Sequence, residues 1–270
     1  MEVPIVVAIL WAAFGGTHVG LAARRPRAAL VARLGERGFT ALYFGVAAAA
    51  FAALVAYYAA HRLEGPPGLV LGASPLARWI LMAVIAAGVA LAGAGLAVYP
   101  RMPMALFDQR VREPRGVERV TRHPFFVGTA LVALAHALLA TRLAGAVFMG
   151  GFAVLALAGA RHQDRKLLAR RGAAYGGYLA VTSTVPFAAI AGGRQRLVAA
   201  ELPLGALAIG LAVAVVLRLG HDLLFAHGGV WVIATVLAGA ALAGVQSLRR
   251  ARRYAAPAPS PRTARAGGAP

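Results

Sequence analysis

The chain has no cysteine, a single lysine (Lys166) and only nine acidic residues in 270. The missing cysteine excludes disulfides, iron–sulfur clusters, thiolate zinc sites and the C-x-x-C-H attachment of c-type haem. Any metal must therefore rest on His, carboxylate, Tyr or Met. Charged residues make up 14% of the chain, against roughly 25% in soluble domains, so an ordinary soluble fold is excluded. Disorder is excluded by the opposite property, because 60% of the residues are hydrophobic. Arginine is abundant and sets a net charge of +19. In a soluble protein that charge points to nucleic acid. Here the arginines gather between long apolar runs, so no nucleic-acid partner is expected and the partner is the lipid bilayer.

Seven apolar runs lie at about 3–23, 39–60, 77–99, 124–141, 143–160, 202–219 and 229–246. Each is long enough, or nearly so, to span about 30 Å of hydrocarbon. The expected fold is an all-α polytopic bundle of seven transmembrane helices in a cell (inner) membrane. Alternate connections hold 24 Lys and Arg, against four on the other side: Arg62, Arg78, Arg142 and Arg218. The positive-inside rule then places the N-terminus outside and the C-terminus inside. Six spans would break this alternation. Met1-Glu2 lacks a basic n-region, so the first run reads as a span and not as a cleavable leader. Residues 161–180 read as an interfacial amphipathic helix, and 249–270 as a basic, disordered tail rich in Pro, Ala and Gly. The organisation expected is thus a membrane domain over 1–200, two further spans over 201–248, and the tail.

Ionisable groups inside a bilayer are costly and are functional candidates by default. Only His18 and His136 fall well inside a run. His18 lies between Gly16 and Gly20, and the helix face of His136 carries Thr129, Val132, Ala133 and Ala140. Small neighbours let a backbone or a flat ligand approach. Two neutral imidazoles in such surroundings suit haem. They equally suit histidines that hydrogen-bond a neighbouring helix and hold the bundle together. At about 1.5 Å per residue, His18 lies about 8 Å from the basic end of its helix and His136 about 18 Å. At the basic edge, Arg122-His123-Pro124 places Pro at the first position of a helix. The preceding Arg122 and His123 suit an anionic group such as a headgroup, a phosphate or a haem propionate, or serve as a simple membrane anchor.

These residues carry a family resemblance. The chain resembles the NnrU-like membrane proteins, and among them the branch of the haem-dependent 15-cis-ζ-carotene isomerases. The matching pieces run in order: His18 to Arg24, Gly35-Glu36-Arg37-Gly38-Phe39, Arg119-Val-Thr-Arg122-His123-Pro124, and Leu134-Ala135-His136. Asp164 to Gly172, Thr182 to Ile190 and Gly193 to Leu197 follow. The resemblance implies haem b with His18 and His136 as iron ligands, Arg122 and His123 as cofactor-binding residues, an apolar lipid-phase substrate such as a carotenoid, and isomerase chemistry. Ala133 stands where the plant-type isomerases have a Cys, so no thiolate ligation is expected here.

A second resemblance uses some of the same residues. Arg122-His123-Pro124 with Gly128, Asp164, Tyr175, Tyr178 and Val185-Pro186 is similar to the isoprenylcysteine and phospholipid methyltransferases, which implies S-adenosylmethionine and a lipid acceptor. For Asp164 the neighbouring Arg161 and Arg165 offer an ordinary salt bridge. A non-catalytic membrane component linked to denitrification or NO metabolism is the other reading that the family allows.

Overall fold

The apolar runs fold as helices, and several helices continue well past the apolar segment that nucleates them. The computed structural model describes residues 2–103 and 111–254. Among these there are nine α-helices: α1 (Glu2–Ala22), α2 (Arg24–His61), α3 (Pro75–Val98), α4 (Val117–Val120), α5 (Pro124–Leu139), α6 (Leu143–Val181), α7 (Ala188–Ala191), α8 (Leu204–Leu219) and α9 (Val230–Tyr254). No strand is formed among the described residues. The all-α class expected from the sequence is therefore found. By length and composition α1, α2, α3 and α6 can cross a membrane. Helices α5 and α8 have 16 residues each, or about 24 Å, and are shorter than the spans expected for them. The stretch Ala226–Leu242 is likewise apolar but short.

Two segments read as separate from the spans are continuous with them. The basic stretch after α1 is helical and belongs to α2, broken only at Gly35 (φ 68°, ψ 171°). The helix expected over 161–180 is the distal half of α6, broken at Gly172 (φ 54°, ψ −135°). Both breaks use backbone conformations that glycine adopts at little cost. The break at Gly35 lets the Arg27 guanidinium reach back to Glu36 at 2.8 Å and lie over the Phe39 ring. Residues 249–254, expected to open the tail, belong to α9, which runs to Tyr254. The remaining residues, 255–270, lie outside the described residues.

The packing follows side-chain size. Val7, Trp11 and Phe14 of α1 meet Phe51, Leu54 and Val55 of α2 and Phe148 of α6 in one buried cluster. Trp11 Nε1–H donates to the Phe148 carbonyl at 3.0 Å, and its ring lies directly over Gly151. Helix α3 is held between α5 and α8 by glycine. A Cβ on Gly128 would stand 2.5 Å from the Gly88 carbonyl oxygen, and one on Gly210 2.5 Å from the Ala90 Cα. Such close helix approach is the usual result of small-residue pairs.

The bundle has two unlike ends. The first is the basic rim, which gathers the α1–α2 junction, the distal half of α6 and the segments around α4 and α7. The opposite rim joins the 62–74 loop to the α5–α6 turn: Gly68 N–H donates to the Thr141 carbonyl, and the Leu143 N–H to that of Pro66.

Candidate functional site

At the basic rim the extended segment around Arg122 lies beside residues 182–187. Arg122 N–H donates to the Ser183 carbonyl and Phe187 N–H to that of Val120, each at 2.9 Å. Thr121 Oγ1–H donates to the Thr184 carbonyl. This pairing presents two adjacent side chains to α6. His123, with no exposed surface, donates Nε2–H to Asp164 Oδ1 at 2.7 Å. Arg122 Nε–H donates to Asp164 Oδ2 at 2.9 Å, and Tyr175 O–H donates to Oδ1 at 2.8 Å. In an unbroken helix, Asp164 and Tyr175 would be separated by about 16 Å of rise. The Gly172 break folds the chain so that the phenol reaches the carboxylate. Arg122 and His123 thus serve an internal anion. The partner of Asp164 is Arg122, 42 residues away, and not the neighbouring Arg161 or Arg165. His123 Nδ1 is buried with no hydrogen-bond partner.

The other charges of this rim are also internally matched. Glu118, 2% exposed, accepts two hydrogen bonds from Arg112, at 2.6 and 3.0 Å. Burial pushes its carboxyl pKa above the usual value, against the opposing pull of Arg112. Arg119 pairs with Glu201 at 2.9 Å and donates to Gln195. The same Glu201 carboxylate accepts from Gly116 N–H. These hydrogen bonds, the Arg119 one foremost, hold Glu201 down at a pKa of about 2. A cleft of about 730 Å³ opens here, with Arg112, Arg119, Arg194 and Arg196 in its wall.

The two intramembrane histidines lie in different places. His18 sits four residues before the end of α1, where the Tyr43 hydroxyl of α2 lies 3.1 Å from Nδ1 and 3.3 Å from Nε2. His136 sits near the far end of α5. Its Nδ1–H donates to the Val132 carbonyl at 2.8 Å, which fixes the tautomer and leaves the Nε2 lone pair free. Its ring neighbour is His221, just after α8. The rings of His18 and His136 make no contact with each other. Measured along their helices from the basic rim, they differ in height by about 12 Å at the α-helical rise. Two axial ligands of one iron need nitrogens about 4 Å apart, taking metal–imidazole bonds of about 2 Å. His136 thus offers a neutral Nε2 donor, while both ring nitrogens of His18 lie within reach of the Tyr43 hydroxyl. Ala133, one turn before His136 on the same helix, is buried and supplies no donor.

His221 was not among the candidate ligands, because it lies outside an apolar run. A readable signal did exist. Helices α5 and α8 both run from the basic rim to the opposite rim and have equal length. A histidine three residues before the end of one and a histidine two residues past the end of the other are therefore close to level.

Comparison with known proteins bears on the whole bundle. Two curated plant proteins are similar to the chain, and both are described as chloroplastic 15-cis-zeta-carotene isomerase. The one from Zea mays is 29% identical over 200 residues, covering 72% of this chain and 52% of its own length. The one from Arabidopsis thaliana is 32% identical over 206 residues, covering 73% and 52%. The chain spans about half the length of these curated relatives. No solved structure matches it. The family model described as NnrU protein matches residues 6–245, from the first turns of α1 into α9, and the chain accordingly belongs to the NnrU family.

Proposed function

We propose that this protein is an integral membrane haem b protein that isomerises an apolar polyene of the carotenoid class. The observation that carries the reading is the similarity, over about 200 residues, to two plant proteins described as 15-cis-zeta-carotene isomerase. The long apolar helices support it, because they give a lipid-phase substrate direct access to the bundle. The charge distribution supports an orientation with the basic rim and the C-terminus in the cytoplasm and the N-terminus outside.

The division of labour follows from the chain's own residues. His136 offers a neutral Nε2, held in one tautomer by the Val132 carbonyl. The close α3–α5 and α3–α8 contacts through Gly88, Gly128 and Gly210 hold its helix against α3 and α3 against α8. The basic rim closes one end of the bundle with matched ion pairs and keeps water from the apolar interior. When bound, haem supplies an iron that exchanges electron density with a conjugated polyene and so lowers the barrier to rotation about one double bond. Arg122 and His123 position Asp164 and Tyr175, and their part is structural. The methyltransferase reading draws on these same residues, which are engaged with one another in the Asp164 cluster.

The test is conversion of 15-cis-ζ-carotene by the purified, haem-supplemented protein in detergent micelles, followed by chromatography of the isomers. Conversion to a product cis at fewer double bonds is expected. A folded, haem-loaded protein that leaves the pigment unchanged contradicts the isomerase assignment.

A further inference from the structure

We propose that the cleft at the basic rim binds the phosphate of an anionic membrane phospholipid. The inference goes beyond the proposed function and depends neither on haem nor on isomerase chemistry. Three pieces of chain bound the cleft: residues 111–114 with Arg119 of α4, the last turns of α6, and residues 193–196 with Val198 after α7. Its volume of about 730 Å³ falls in the range of ligand sites, roughly 300–1,000 Å³, and far exceeds a single phosphate group.

The four arginines of the wall are not equivalent. Arg112 and Arg119 are spent on Glu118 and Glu201. Arg194 and Arg196 form no ion pair among the described residues. Arg194 is nevertheless held in place. Its Nη1–H groups donate to the Ala180 carbonyl at 3.0 Å and to the Thr182 carbonyl at 3.4 Å. These carbonyls lie at the C-terminal end of α6, the pole of a helix that repels an anion. The guanidinium covers that pole and keeps Nε–H and Nη2–H for a ligand. Gln195, between the two arginines, accepts from Arg119 at 2.9 Å, which ties their segment to α4. Glu113 is also in the wall. It is exposed and forms no ion pair among the described residues. Two unmatched cations against one solvated carboxylate leave the cleft net positive.

The flank of the cleft points to a lipid as the source of the phosphate. Val181, in the wall, is 38% exposed, and Val185, Phe187 and Leu197 of the adjoining segment are each more than half exposed. Phe187 holds a left-handed backbone, with φ at 61°, a conformation that bulky residues rarely adopt. Strain of this kind gathers at ligand contacts. A free anion gains nothing from exposed apolar side chains, whereas acyl chains cover them. Basic pockets on the cytoplasmic side of a helix bundle take anionic headgroups in this way.

The experiment uses the full chain, purified in a nonionic detergent and stripped of lipid, with phosphatidylglycerol, phosphatidylcholine or inorganic phosphate added. Native mass spectrometry reads retained lipid, and thermal unfolding reads its effect on the fold. The wild type is expected to retain one phosphatidylglycerol and to unfold at a higher midpoint with it. Phosphatidylcholine and inorganic phosphate are expected to do neither. Arg194→Gln and Arg196→Gln each weaken phosphatidylglycerol binding about fivefold, as loss of one arginine near an anionic membrane surface does. Arg33→Gln removes the same charge from an exposed position of α2 at the same rim and binds as wild type. Arg194→Gln also loses its bonds to the end of α6, so Arg196→Gln, which breaks no ion pair among the described residues, is the deciding variant. The inference is overturned if folded Arg196→Gln binds phosphatidylglycerol as tightly as wild type, if Arg33→Gln weakens binding equally, or if phosphatidylcholine binds as tightly. An equal response to inorganic phosphate assigns the cleft to a free anion and overturns the lipid assignment.

Discussion

The two ends of the bundle use polar residues in opposite ways. At the basic rim, Glu118, Asp164 and Glu201 are each matched to an arginine. The most deeply buried histidine of that rim, His123, is consumed in the same network. At the opposite rim the one ion pair among the described residues is His61–Glu64, Arg78 and Arg218 form none, and the parallel rings of His136 and His221 stand 6.2 Å apart. The densest cluster of ionisable groups is therefore engaged with itself, and the sparse one is not. Buried polar groups that satisfy one another fix a structure, whereas a free nitrogen lone pair is what a ligand can take.

The comparison is broken most severely at Asp164. Asp164→Ala leaves Arg122, His123 and Tyr175 without their common acceptor. Uncompensated charge of that kind costs about 3–5 kcal/mol. Thermal unfolding in detergent is expected to show a large loss of stability, with Asp164→Asn less affected because it still accepts hydrogen bonds. A variant as stable as wild type would mean that the cluster is dispensable to the fold.

The next effect belongs to the close α3–α5 contact. Gly128→Leu drives a side chain into the Gly88 carbonyl and the Ala92 backbone. Overpacking of this kind costs about 1–3 kcal/mol. Because α3 lies between α5 and α8, haem retention is expected to fall together with the unfolding midpoint. Gly150→Ala, where a Cβ meets nothing within 4 Å, is the control that should change neither.

The smallest effect is at the exposed Arg119–Glu201 pair. The folded-state pKa of Glu201 is depressed from 4.5 to about 2. The stabilisation from its ionised form is therefore present above pH 4.5 and is lost as pH falls through 2. Glu201→Gln should remove this part of the acid sensitivity and lower the midpoint near pH 7 only slightly, because solvent screens an exposed pair, with the two proteins converging below pH 2. Equal acid profiles for the two proteins would show that the pair contributes nothing.

Much of this architecture was legible in the sequence, because apolar run length reports a helix directly. The all-α class, the capping of α5 by Pro124 and the family membership were all readable. Residues 24–34 and 161–181 were read as lying outside the spans because their charge resembles membrane flanks. They are rich in Arg, Ala and Leu, however, and these are strong helix formers. Each helix runs on until a glycine breaks it, at Gly35 and Gly172. The Asp164 cluster was not readable. Arg161 and Arg165 are its obvious neighbours in sequence, and only the fold brings Arg122 and His123 to it. His18 and His136 were singled out by depth within their runs, a criterion that does not register whether two histidines are level with each other.

The most direct measurement is the absorption spectrum of the full-length protein purified in detergent after haem supplementation, in oxidised and reduced forms. A Soret band with the sharp visible bands of a six-coordinate, low-spin b-type haem is predicted, with no thiolate signature in either state. A folded preparation without Soret absorption would contradict the account.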